Sequence, residues 1–266
     1  DNTVVAFGRN HAGQSTVPAG LTGVIAISAG AEHSVALKSD GTLAIWGSNA
    51  AGQSTAPGGL GTVSAIAAGG YHTLALAGGQ VRAWGSSAEG QTTVPTAALT
   101  GVTAIAAGAY HSLALKDDGS VVAWGAKSAG QSSVPAGLSD VIAIAAGAYH
   151  SLALKEDGSV VAWGWNHEGQ GTVPSGTGDM NRLAAGYGHN LVAKGPRLVF
   201  ADEAVPGTVP ADPKTIVVKN SGTSELVFTS AALSGAHPGD FALVTTGITF
   251  PATVLPGTSV SFTVDF

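Results

Sequence analysis

Cysteine is absent from all 266 residues, so neither a disulfide nor a thiolate can contribute to structure or chemistry. Charge is scarce too: Asp, Glu, Lys and Arg make up only 11% of the chain, with a net charge of −6. No basic stripe exists to neutralise phosphates, so nucleic acid is not an expected partner. The longest apolar runs, such as 141–148, are far too short to span a bilayer, and no membrane insertion is expected. Good helix formers are too sparse for a helical bundle. A cysteine-free chain that opens on a strand-like run and stops on another at Phe266 reads as a mature or excised piece of a longer exported bacterial protein.

What is plentiful is glycine, 39 in all, beside Ala, Ser and Thr, which suits short strands joined by tight turns. The glycines belong to a repeat. Val102–Gly125, VTAIAAGAYHSLALKDDGSVVAWG, is one copy of a unit written five times. Its histidines (His33, His72, His111, His150, His189) recur every 39 residues. The aromatic of the WG pair (Phe7, Trp46, Trp84, Trp124, Trp163) and the glutamine of the GQ pair (Gln14, Gln53, Gln91, Gln131, Gln170) travel with them. A fixed period near 40 is the signature of stacked supersecondary units. Within HSLALK and VVAWG, bulky and small residues alternate at period two, so each strand is apolar on both faces, large on one and small on the other. Radially stacked sheets need this pattern, because one blade's bulky face fills the gap against its neighbour's small face. Asp40–Gly41, Asp118–Gly119 and Asp157–Gly158 sit between the second and third strands and predict two-residue hairpins, not calcium ligands.

The runs VIAIAAGAYHSLALK, VVAWG and GQSSVP resemble the repeats of the regulator-of-chromosome-condensation family of β-propellers, and more closely those of the type II β-lactamase inhibitory proteins. The resemblance covers about Val4 to Lys194. It implies an all-β fold, a propeller over 1–195, although that family usually has seven blades and this chain has five repeats. The fifth copy lacks a WG strand, whereas Thr3–Gly8, TVVAFG, is an orphan strand of that type. The expectation is that it completes the last blade beside His189–Lys194 and closes a five-bladed ring. From 196 to 266 the period is lost, and LVFAD, KTIVVKNSG, ELVFTSAALSG, DFALVTT and TSVSFTVDF predict a small β-sandwich. VVKNSGTSELVFTSAALSG, HPGDFALV and LPGTSVSFTVDF resemble the immunoglobulin-like modules of the hydin and abnormal-spindle type, which implies a modular exported protein.

No nucleophile elbow, phosphate-cradling loop or clustered His/carboxylate set is present, so catalytic residues, metal and cofactor are all expected to be none. The recurrent histidines read as buried side chains hydrogen-bonded to backbone, and the tryptophans as core wedges. Positions that vary among the copies are free to serve recognition. These are the loop after WG and the pair before each histidine. Strand direction puts both on one face, opposite the Asp-Gly turns, and gathers Tyr71, Tyr110, Tyr149, Tyr187 and Glu32 with Arg9, His11, Trp165 and His167. If the ring closes, Trp165 and His167 fall beside Arg9 and His11. Exposed aromatics on one face point to a binding surface for a protein or glycan. The competing account is that the tyrosines only cap the blade ends. The functional expectation is a non-catalytic scaffold at the bacterial cell surface or outside the cell. Two alternatives stand beside it: an inhibitor of a secreted hydrolase such as β-lactamase, and a self-associating fibre subunit completed by strand addition.

Overall fold

The computed structural model describes residues 2–178 and 180–194 in full, followed by the backbone of five strands between 214 and 265. The chain divides into two compact units, Asp1–Ala193 and Lys194–Phe266, two residues before the predicted boundary.

In the first unit each of the first four repeats folds as a three-stranded antiparallel sheet in sequence order. These are β1 (Val24–Ala29), β2 (His33–Lys38) and β3 (Leu43–Gly47); β4 (Val63–Ala68), β5 (His72–Ala77) and β6 (Gln80–Gly85); β7 (Val102–Ala107), β8 (His111–Lys116) and β9 (Val121–Gly125); and β10 (Val141–Ala146), β11 (His150–Lys155) and β12 (Val160–Gly164). The fifth repeat supplies only β13 (Arg182–Ala185) and β14 (Asn190–Ala193). Register is the same in every full sheet, with the histidine opposite the glycine of WG and the next residue opposite the tryptophan, as in His111↔Gly125 and Ser112↔Trp124.

The large-against-small pattern packs as the sequence predicts. Leu37 of one sheet meets Ala75 and Trp84 of the next, and Leu113 and Leu115 meet Ala153 and Trp163. Burying a leucine in this way contributes roughly 1.5–3 kcal/mol. Each tryptophan also meets a polar requirement: Trp124 Nε1–H donates to the Gln91 carbonyl at 2.8 Å, and Trp84 and Trp163 do the same to Gln53 and Gln131. The Gln91 carbonyl accepts from Ser112 Oγ as well, at 2.9 Å. Trp124→Phe is therefore expected to cost about 1 kcal/mol in chemical denaturation, since the carbonyl keeps a partner. A loss of several kcal/mol would show the indole to be the main anchor of the loop.

The Asp-Gly turns differ from expectation. Gly41 N–H donates back to the Lys38 carbonyl, Lys38 N–H donates to the Thr42 carbonyl, and in this turn only Gly41 has positive φ, +78°. This is a three-residue loop with a glycine bulge. The aspartate contributes through its carboxylate: Asp40 Oδ1 accepts from Thr42 Oγ1 at 2.6 Å and from Thr42 N–H at 2.9 Å. Those bonds, with Lys38 beside them, hold the Asp40 carboxyl well below its ordinary range, and Ser120 does the same for Asp118. The two-residue turn occurs in the one three-stranded sheet whose turn lacks aspartate, where Gly78 and Gly79 (φ +57° and +72°) join the paired residues Ala77 and Gln80.

The expected ring closure does not form. Among the described residues Thr3–Gly8 pairs with no strand, and β14 pairs only with β13. Phe7 is 91% exposed and Leu191 67%, whereas the interior equivalent of Leu191, Leu113, is fully buried. The side chains that closure would cover are in solvent, so the five repeats form an open array of sheets.

In the second unit the described backbone comprises β15 (Lys214–Lys219), β16 (Leu226–Phe228), β17 (Ala242–Val244), β18 (Ala252–Val254) and β19 (Ser259–Asp265). They form two antiparallel sheets, β15-β19-β17 and β16-β18. β19 lies in the middle of its sheet, paired on both sides, and so has no open edge for a donated strand. The predicted strand LVFAD lies outside the described residues.

Candidate functional site

Each first strand of a repeat ends in an Ala-Gly step, turns over the two residues before the histidine, and enters the second strand. Where the WG strand returns, the first residue of the variable loop donates its N–H to the carbonyl before the histidine: Ser48 to Glu32, Ser86 to Tyr71, Ala126 to Tyr110 and Trp165 to Tyr149, at 2.7–2.9 Å. The tyrosine turns and the variable loops thus share one end of the sheets, as strand direction predicts.

Backbone bonds stitch successive turns together. Ala31 N–H donates to Gly70, Gly70 to Gly108, Ala109 to Ala148 and Ala148 to Tyr187, at 3.1–3.3 Å. The turns therefore line up side by side, and their aromatic rings form a row. Ring centroids are 6.2 Å apart for Tyr71–Tyr110, 5.8 Å for Tyr110–Tyr149 and 6.0 Å for Tyr149–Tyr187; Trp165 packs edge-on to Tyr149 at 6.0 Å and stacks on His167 at 6.0 Å. Beneath the row runs a groove of about 490 Å3, lined by the Ala-Gly steps of all five repeats and by the four tyrosines. Desolvation by neighbouring rings, with hydrogen bonding to Tyr187 and Tyr110, raises the Tyr149 pKa above its ordinary value, so it stays a neutral donor and acceptor.

Arg9, His11 and Glu32 form a second, separate cluster. His11 Nε2 lies 3.0 Å from Glu32 Oε1, and Arg9 Nη2 lies 3.8 Å from the same oxygen. These residues sit with the first repeat, not beside Trp165 and His167. The expected meeting of the two pairs depended on ring closure, and the open array separates them.

The recurrent histidines are not among the groove's lining residues; their rings pack behind its glycine floor, and those of the first four repeats belong to the joints between sheets. The expectation of backbone partners is corrected here. His33 Nε2 bonds Thr73 Oγ1 at 2.9 Å, His72 bonds Ser112 Oγ at 3.0 Å, His111 bonds Ser151 Oγ at 2.9 Å, and His150 bonds Asn190 Oδ1 at 2.6 Å. Each partner stands 40 residues on, in the next sheet, and itself donates to a GQ carbonyl, as Ser151 Oγ does to Gln131 at 2.8 Å. The hydroxyl proton being committed there, Nε2 must carry the imidazole hydrogen. Nδ1 then keeps a bare lone pair, and on His33, His72, His111 and His150 it is buried without a hydrogen-bond partner. Protonating it would bury a cation with one N–H unmatched. Burial accordingly lowers the pKa to about 4 for His33 and His111 and about 3 for His72, with neighbouring histidines adding to the effect on His72 and His111. His189 is exposed, and no next-sheet partner is seen for it among the described residues.

Two contributors escaped sequence reasoning, though both left a signal. A small polar residue follows every histidine (Ser34, Thr73, Ser112, Ser151, Asn190), and a glycine precedes every one by three (Gly30, Gly69, Gly108, Gly147, Gly186). Among the described residues no three His, Asp or Glu side chains gather closely enough to hold a metal ion.

Four segments, 24–53, 63–91, 102–131 and 141–170, match the regulator of chromosome condensation (RCC1) repeat. No curated protein matches it by sequence. Among solved structures, it is similar to Prp20p from Saccharomyces cerevisiae (23% identity, TM-score 0.53), over 65% of this chain and 55% of that one. It is also similar to yeast RCC1 (Prp20) solved with Kap60 (26% identity, TM-score 0.52), over 64% of this chain and 53% of that one. A third is the CRINKLY WD40 ectodomain of the Arabidopsis thaliana receptor kinase ACR4 (24% identity, TM-score 0.50), over 64% and 61%. These likenesses show that the repeated three-stranded sheets match those of RCC1-type β-propellers. The chain spans between 53% and 61% of the length of these structures.

Proposed function

We propose that this chain is a non-catalytic binding scaffold of an exported or cell-surface bacterial protein, and that its RCC1-type repeats recognise a protein segment through the tyrosine row. The single observation that carries this reading is the continuous file of rings, Tyr71, Tyr110, Tyr149 and Tyr187 with Trp165, above a groove of small residues. Tyrosines in such a file offer large amphipathic contacts with few rotors to immobilise, and the Ala-Gly floor lets a ligand approach the backbone closely. The Asp-Gly end of the sheets offers no comparable apolar area. Protein recognition also has precedent on this fold: the yeast relative was studied for binding to Gsp1p and histones, and was solved bound to Kap60. In this reading the second unit is an immunoglobulin-like module of the hydin type, in keeping with its two antiparallel sheets.

The test is a screen of displayed peptides and of a glycan array against the intact chain, repeated with Tyr110→Ala. Truncating a central aromatic of an interface costs on the order of 2 kcal/mol, so peptide hits are expected to weaken by tens-fold. Folding should suffer only the loss of two ring contacts, at about 1 kcal/mol each. If Tyr110→Ala lowers the melting temperature as much as His111→Ala, the tyrosines are architecture. Hits confined to glycans would replace the protein partner with a carbohydrate. An inhibitor reading draws on the same aromatic turns, and a β-lactamase assay decides it: no inhibition at micromolar protein disposes of it.

A further inference from the structure

The variable loop of the fourth repeat, 165–168, holds the means to make one bond that its sister loops make, and does not make it. In every copy the glutamine of the GQ pair closes this loop. Its Oε1 accepts the N–H of the loop's fourth residue, as Gln14 does from Ala12 and Gln170 from Glu168, at 2.8–2.9 Å throughout. The Nε2–H then needs an acceptor inside the loop. Gln53 and Gln91 find one in Ser48 Oγ and Ser86 Oγ, at 3.3 and 3.5 Å. The first loop opens on Arg9 instead of serine, and there the His11 ring serves, with Gln14 Nε2 donating to Nδ1 at 3.4 Å. The fourth loop opens on Trp165 and carries His167 at the place of His11. Yet Gln170, only 4% exposed, keeps its Nε2 buried without a partner.

His167 is turned the other way. Its ring stacks on the Trp165 indole, with centroids 6.0 Å apart and planes inclined by 16°, and its Nδ1 lies 3.2 Å from Glu168 Oε1. A buried N–H left unmatched is costly, and a group able to match it stands in the same loop. The third loop also leaves its Gln131 amide unmatched, but it opens on Ala126 and holds no ring to turn inward. What occupies the indole face is thus a planar N–H donor set between an aromatic surface and a carboxylate. The His167 and Glu168 side chains are 77% and 63% exposed, and among the described residues His167 is the only ion-pair partner of Glu168. The net charge of −6 adds to the attraction for a cation.

We propose that the corner between Trp165 and Glu168 receives an arginine side chain of the protein partner, with His167 as its displaceable lid. This rests on the reading of the tyrosine row as a protein-binding face, which Trp165 joins edge-on through Tyr149. A guanidinium is planar, always charged and weakly hydrated. It stacks on an indole and presents paired N–H groups to a carboxylate, so it makes both contacts of the imidazole more strongly. Lysine brings the charge without the plane. Once displaced, His167 turns to the place that His11 holds in the first loop, where its Nδ1 accepts from Gln170 Nε2. Nδ1 faces the Glu168 carboxylate as a donor and must become an acceptor there, so the imidazole hydrogen passes to Nε2 by exchange with water. The bond gained beneath the loop offsets the ring stack lost above it.

The probe is the tripeptide acetyl-Gly-Arg-Gly-amide, titrated into the full chain and followed by NMR at the indole N–H of Trp165, which Trp165→Phe identifies. Saturable binding in the millimolar range is expected. It should weaken by about tenfold when lysine or citrulline replaces the arginine, and by as much in Glu168→Gln. At saturation the His167 ring should carry its hydrogen on Nε2 instead of Nδ1, and its through-space contacts with Trp165 should vanish. An indole signal that does not move overturns the proposal. So do equal affinities for the three tripeptides, undiminished binding to Glu168→Gln, and a His167 ring that stays stacked at saturation. The peptide screen on Tyr110→Ala tells this failure from that of the row. Segments that need Tyr110 but are indifferent to arginine keep the protein-binding face and discard the arginine corner. Arginine binding at Trp165 with no segment that needs Tyr110 keeps the corner and discards the row.

Discussion

Acidification from pH 7 towards pH 4 is expected to unfold the repeat unit, with the steepest loss near pH 5. His33, His72 and His111 titrate near 6.5 when unfolded and are held at about 4, 3 and 4 in the fold. With the folded pKa depressed, the unfolded chain binds more protons between these values. The stabilisation is complete above pH 6.5 and is lost as pH falls through that window. Near pH 5 each of the three contributes a slope close to the full 1.4 kcal/mol per unit, together about 4 kcal/mol per pH unit. A unit whose total stability is about 5–15 kcal/mol cannot absorb much more than one such unit. Asp40 and Asp118, also depressed, add to the loss only further down, below the ordinary carboxylate range. Thermal melts followed by tryptophan fluorescence at half-unit pH steps provide the measurement. A melting temperature that is flat from pH 7 to 5 would mean that the imidazoles accept protons within the fold, and the assigned tautomer would be wrong.

Gly108→Ala is expected to damage the fold more than any surface substitution. The backbone at Gly108 lies so close to the His111 ring that an added Cβ would overlap it, and the Gly147 carbonyl of the next sheet would stand 2.5 Å away. Neither neighbour can yield, because the ring is held by Ser151 and the carbonyl is main chain. Overpacking of this kind costs on the order of 3 kcal/mol or more. Gly58 makes the control: its φ is ordinary and nothing lies within 4 Å of where a Cβ would go, so Gly58→Ala should be neutral in the same denaturation experiment. If Gly108→Ala proved equally mild, the close approach of backbone to imidazole would not be a constraint on the joint.

The same joint divides what could be read in the chain from what could not. The spacing of the histidines, the WG and GQ pairs and the period-two alternation of HSLALK were enough to place strands β1 to β14, the tryptophan core and the shared end of the tyrosines and variable loops. These are properties of one repeat and its translation along the chain. The aspartate turns were misread by one residue, because Asp-Gly suits both a two-residue hairpin and a three-residue loop. The backbone bonds of Lys38 and Gly41, and the two bonds that the Asp40 carboxylate accepts from Thr42, distinguish them.

What a repeat does to its neighbour is a different kind of fact. The partner of His111 is Ser151 because adjacent sheets are offset so that a ring in one reaches the residue after the histidine in the next. No pattern within a repeat states that offset, and Gly108 looked like one glycine among 39 until the ring was seen against it. Closure is further still from local pattern. The orphan strand at 3–8 and the vacancy beside β14 match in sequence, yet whether they meet depends on the rotation from sheet to sheet summed over the whole array. The residues therefore determined the blade and the composition of its faces. Tertiary structure alone decided that the imidazoles are neutral staples between blades, that Arg9 and His11 belong with Glu32 and not with Trp165, and that the array stands open, because each of these follows from relative placement of sheets and not from the order of residues within one.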